Sequence, residues 1–77
     1  MIAKISEIYE NAGLSQQEIE DMPHFLLGEV DFCGSTAFEK LYTYFAFDIC
    51  EMPYGIAKAR DGDPDLWILE QLDYAQS

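Results

Sequence analysis

The chain has 77 residues, with fifteen Asp and Glu against four Lys and Arg, a formal net charge of -11, and it is 49% hydrophobic, including five Phe, five Tyr and one Trp. That aromatic content excludes a disordered acidic tail, and the sign of the charge excludes direct binding of nucleic acid or of an anionic membrane surface. A domain of this size buries only about 60% of the surface its unfolded chain exposes, so the expectation is one domain over residues 1–77, with one modest core and some apolar surface left for a partner.

In chain order, Ile2, Ile5, Ile8, Tyr9 and Ala12 fall at helical spacing and Gly13 follows as a left-handed stop, which predicts a first helix over roughly 2–12. In "LSQQEIEDM", Ser15 and Glu18 fit a capping box and Leu14 and Ile19 stand at the staple positions, so a second helix starts at Gln16. Pro23 lacks an N–H and pushes Met22 from helical geometry, so a break or kink is expected there. "GEVDFCGST" has two glycines and no helical period; it reads as a loop with room for a short extended piece at Val30–Cys33. Ser35 or Thr36 then caps a third helix, roughly 36–51, with Phe38, Leu41, Tyr42, Phe45, Ile49 and Met52 on one stripe. Tyr44 and Phe47 widen its apolar surface, which marks it as the central helix. "MPYG" reads as a turn and "IAKAR" as one helical turn. Asp63-Pro64 reads as an N-cap followed by proline at the first helical position of a last helix, roughly 64–74, presenting Leu66, Trp67, Leu69 and Leu72 with Ile68 toward its flank. The fold class expected is mainly α, a small bundle of about four helices.

Asp61, Asp63 and Asp65 alternate just before that last helix. A calcium loop of the EF-hand type needs glycine at its sixth position and a bidentate Glu at its twelfth. Counting from Asp61 these are Leu66 and Leu72, and Pro64 lies within the loop. Helix capping explains Asp63, and Asp65 falls at the positive end of the helix dipole. Asp61 is left either to pair with Lys58 or Arg60 or to join a wider acidic surface.

That wider surface has a pattern. Glu7/Glu10, Glu18/Asp21, Asp48/Glu51 and Glu70/Asp73 are like-charge pairs three residues apart within expected helices. Each such pair costs a helix roughly 0.2–0.5 kcal/mol, and acids late in a helix also oppose its dipole. Folding alone does not favour that arrangement, whereas a basic partner does. The separation is also comparable to that of successive phosphates along a nucleic-acid strand, so helical carboxylates can imitate a nucleic-acid backbone in a protein groove. The competing explanation is solubility, although -11 exceeds the roughly 2–8 charges that suffice for a small domain.

Catalytic chemistry finds no support. His24 is the only histidine, "DFCGST" lacks a nucleophile-elbow frame, and no Gly-rich phosphate loop is present. Cys33, Cys50 and His24 are too few and wrongly spaced for a zinc site, and the two cysteines are too few for a disulfide scaffold. They read as two buried thiols of a reducing, cytoplasmic protein. No signal-peptide pattern opens the sequence, and no apolar run approaches the ~20 residues of a membrane span. Helix 2 has the flavour of a helix-turn-helix element, but Glu18, Glu20 and Asp21 without a base rule out its use on DNA.

The expected function is therefore non-enzymatic, without cofactor or metal: an acidic interaction protein that docks on a basic protein surface, including the surface of a nucleic-acid-binding protein whose ligand it would mimic. Small acidic proteins that block nucleic-acid-binding machinery, among them phage-encoded inhibitors of host defence, are similar to this chain in size and charge. The candidate contact residues are Glu7, Glu10, Glu18, Asp21, Asp48, Glu51, Asp61, Asp63, Asp65, Glu70 and Asp73, with Tyr44, Phe47 and Tyr54 as aromatic anchors. Phe38, Tyr42, Phe45 and Trp67 are expected in the core. The alternative is a structural or regulatory subunit, or a homodimer, held by apolar contacts, with charge serving only solubility.

Overall fold

The computed structural model describes residues 4–59 and 61–76. Met1 to Ala3, Arg60 and Ser77 lie outside the described residues, and with them the expected helical start at Ile2 and the Asp61–Arg60 pairing.

The chain is mainly helical, as its periodicity predicts, with five α-helices among the described residues where about four were expected: α1 (Ile5–Ala12), α2 (Gln16–Leu26), α3 (Thr36–Thr43), α4 (Met52–Lys58) and α5 (Pro64–Gln76). Gly13 closes α1 at φ 80, a left-handed conformation that costs glycine little. The capping box of α2 is formed in both directions: Glu18 N–H donates to Ser15 Oγ at 3.3 Å, and Ser15 N–H donates to Glu18 Oε1 at 2.8 Å. Contrary to the expected break, α2 runs through Pro23. The proline ring sits on the exposed side, while Met22 and Phe25 beside it are buried and hold the helix to the core. Here tertiary packing outweighs the loss of one backbone hydrogen bond.

The segment between α2 and α3 contains turns and bends, with no extended piece at 30–33. It is pinned by Phe32, whose ring lies 5.2 Å from Phe25 and 5.3 Å, edge-on, from Phe38. Ser35, rather than Thr36, caps α3: its Oγ accepts from Phe38 N–H at 3.1 Å and donates to Phe32 O at 2.7 Å.

The expected long helix 36–51 is not one α-helix. At Tyr44 it widens into a π turn, Tyr44–Asp48, in which Ile49 N–H donates to Tyr44 O at 3.0 Å. Cys50 then takes φ 59, a strained left-handed conformation for a non-glycine residue, and ends the segment. "MPYG" is not a turn: it is helical and continuous with Ile56–Lys58, together forming α4, with Pro53 in its first turn, where no N–H is needed. Gly55 sits inside α4 because a Cβ there would overlap the indole of Trp67. The close approach of α4 to α5 depends on that missing side chain.

The central element is α5, not α3. It packs against each of the other four helices. The consecutive apolar residues Leu66, Trp67, Ile68 and Leu69 sweep most of a helical turn, so α5 offers apolar surface in several directions. Ile68, expected on the flank, and Leu72 are both 0% exposed. Trp67 meets Phe45 edge-on at 5.3 Å. The radius of gyration, 11.4 Å, equals about that of any compact domain of this length. No polar or charged side chain is buried among the described residues, so all the described acids reach the surface.

Candidate partner-binding surface

The acids divide into those the fold uses and those it does not. Glu18 is the clearest of the first kind. Besides the capping box, its Oε2 accepts from Thr36 Oγ1 at 2.7 Å and its Oε1 from Lys40 Nζ at 2.5 Å. One carboxylate thereby ties the N-terminus of α2 to the first turns of α3. Its burial raises the cost of charge, but Lys40, Ser15 and Thr36 together outweigh that and lower its pKa to about 2. Asp21 is half-buried and accepts from Gln17 Nε2 at 3.2 Å. These two candidates belong to the scaffold more than to a docking face.

The remaining candidate acids stand at or near the surface. Among the described residues Lys40 pairs with Glu18, and His24 Nδ1 lies 3.2 Å from Glu29 Oε2, so none of these other acids has a described cationic partner. Lys58 does not reach Asp61. Asp63 holds the N-cap position of α5, its carbonyl accepting from Trp67 N–H at 3.0 Å, and Asp65 follows in the first turn.

Glu7/Glu10 on α1 and Glu70/Asp73 on α5 are exposed like-charge pairs on single helices, as their spacing predicts. Asp48/Glu51 is not. Asp48 ends the π turn, Cys50 turns left-handed, and Glu51 lies before α4, so the helical spacing does not hold between them.

Four of the acids are gathered along the outer side of α5. An open depression of about 220 Å³ is lined by Asp61, Asp63 and Glu70 together with Ala59, Leu66 and Trp67. A second, of about 260 Å³, shares Leu66 and Glu70 with the first and adds Leu26, Leu69 and Asp73. A third, of about 330 Å³, shares Leu26 and Asp73 with the second and extends to Pro23 and Leu27. The shared walls make them one shallow strip running from the loop before α5 to the C-terminal end of α2, with leucines along it and carboxylates beside them.

The leucines of this strip were not among the expected contact residues. Leu66, read only as part of the apolar stripe of the last helix, is 43% exposed, and Leu27 is 73% exposed. A signal was present: four successive apolar residues on a helix cannot all face one core.

The aromatic candidates divide as well. Phe47 and Tyr54 are 69% and 73% exposed, while Tyr44 is 6% exposed and belongs to the core beside Phe45. Phe47 is thus exposed as expected, and Tyr44 is not. Tyr42, expected in the core, lies at the surface against Phe38 at 5.8 Å.

Cys33 and Cys50 are exposed free thiols, not buried ones, because one lies in the loop before α3 and the other at the left-handed corner before α4. No three His, Cys, Asp or Glu side chains among the described residues stand close enough to hold a metal ion. No described helix is long and apolar enough to cross a membrane. No protein-family model, curated protein or solved structure matches this chain.

Proposed function

We propose that the chain is a non-enzymatic interaction protein that docks its acidic surface on a basic surface of another protein, one that otherwise holds nucleic acid. The observation that supports this reading is the contrast among the carboxylates. Glu18 is fully engaged by the fold, whereas Glu7, Glu10, Glu70 and Asp73 are exposed, adjacent to like charge and unpaired by any described cation. Charge placed this way weakens the free protein slightly and gains its return when a cationic surface covers it. The mechanism is occupancy: long-range attraction steers the encounter, and the docked chain blocks the groove sterically and by charge.

The test uses the intact chain as bait, with partners eluted by salt and then purified. Their affinity for the chain should fall steeply between about 50 and about 300 mM NaCl, and duplex DNA should compete with it. An affinity indifferent to salt contradicts this reading. It favours instead a subunit or homodimer held by apolar contacts, for which the exposed Phe47 and Tyr54 are the natural anchors.

A further inference from the structure

We propose that the strip along α5 is a seat for an amphipathic helix of a partner protein, with leucine-like residues on one side and Lys or Arg flanking them. This rests on the reading of the acidic surface as a docking surface and specifies where on the chain, and to what, the docking occurs.

Geometry sets the occupant's shape. Leu66, Leu69, Glu70, Asp73 and Gln76 recur at three- or four-residue intervals, so they form one outward stripe of α5. From Leu66 to Gln76 the stripe runs about 15 Å, close to three helical turns. Leu26 and Leu27 at the end of α2 form the other bank. A shallow channel between two helices, of that length and open to solvent, matches a helix laid along it. Its three depressions all open widely to solvent, so none encloses a small molecule.

Charge sets the occupant's chemistry. Asp61 and Asp63 stand at one end, and Glu70 and Asp73 alternate with the leucines along the middle. No lysine or arginine lines the strip among the described residues. A second copy of this chain would bring acids onto acids at a net charge of -11. Nucleic acid and anionic lipid carry the same sign. A simple polycation would meet the carboxylates and leave the leucines uncovered. A cationic amphipathic helix satisfies both.

The probe is a fluorescent peptide of about 14 residues, with Leu at helical i, i+3, i+7 spacing and Lys on either side, compared with a scramble of the same composition. Anisotropy titrations with the full chain at low salt should show the patterned peptide binding at least tenfold tighter than the scramble. Leu27→Ser with Leu66→Ser, both exposed in the free chain, should lower that affinity roughly tenfold. Glu70→Gln with Asp73→Asn should lower it several-fold more than Glu20→Gln with Glu39→Gln, which removes as much charge from elsewhere. Circular dichroism confirms that each variant is folded.

Equal binding of patterned and scrambled peptides, unaffected by the leucine changes, overturns the helix seat and leaves general docking on basic surfaces standing. No binding of either peptide at low salt contradicts both. A concentration-dependent dimer that Leu27→Ser with Leu66→Ser dissociates also overturns the proposal, because a second copy would then be the occupant.

Discussion

Glu18 and the pair Glu70/Asp73 are all helical acids with like-charge neighbours three residues away, and the structure treats them oppositely. Glu18 starts its helix, where the dipole favours it, and accepts from a backbone N–H, a hydroxyl and an ammonium. Glu70 lies mid-way along α5 and Asp73 in its last turn, where the dipole disfavours acid, and both stand exposed beside apolar side chains with no described cation in reach. The identity of a residue did not decide its role; its hydrogen-bond partners did. A net charge of -11 is thus the sum of a few acids that hold the helices together and many that do not.

The sharpest way to break this contrast is Glu18→Ala. It removes the capping box, the Thr36 bond and the Lys40 pair at once, and is expected to lower stability by about 2 kcal/mol, a fall in Tm of roughly 8–16 °C for a domain of this size. A calorimetric or circular-dichroism melt checks it; a melt within 2 °C or so of wild type, against that expected shift, would show that Glu18 is no more structural than its neighbours.

Acid sharpens the same point. The Glu18 pKa lies at about 2 in the folded chain, below its ordinary 4.5, so the ionised form is favoured by folding. Its stabilisation is complete above about pH 4.5 and is lost as pH falls toward about 2. Allowing for solvent screening, the amount is about 1–2 kcal/mol. The stability difference between wild type and Glu18→Gln isolates this contribution, and should be largest near pH 7 and shrink across that window.

A smaller change is expected for Lys40→Met. The Lys40 side chain is 40% exposed, so the ion pair contributes about 0.5–1 kcal/mol. The Ser15 and Thr36 bonds to Glu18 remain, and urea unfolding should show a loss well below that of Glu18→Ala.

Much of the fold was legible in the sequence, and the residues show why the rest was not. Local rules placed Gly13, the Ser15–Glu18 box and the start of α5 at Asp63-Pro64, because each is satisfied within a few residues. Misreadings occurred where distant contacts overrode local preference. Pro23 stays helical because Met22 and Phe25 are buried on either side of it. Gly55 is a point of contact with Trp67, not a turn residue. Tyr42 and Tyr44 exchange the roles expected of them, Tyr42 at the surface and Tyr44 in the core, because α5 and not α3 is the centre of the packing. Of the candidate surface, the acids of the strip were named from spacing. Its leucines were not, because their exposure depends on how α2 and α5 meet.

The measurement that bears most directly on the division between structural and partner-facing acids is the unfolding free energy of Asp61→Asn, Asp63→Asn, Glu70→Gln and Asp73→Asn combined in one chain. The amides keep size and hydrogen-bonding capacity, and Asn caps a helix as readily as Asp, while charge is removed. If the strip serves a partner and not the fold, urea denaturation at low salt and pH 7 should show this variant as stable as wild type or about 0.5 kcal/mol more stable. A loss of more than about 1 kcal/mol, comparable to that of a broken cap, would show that these carboxylates hold the fold as Glu18 does, and would contradict the division.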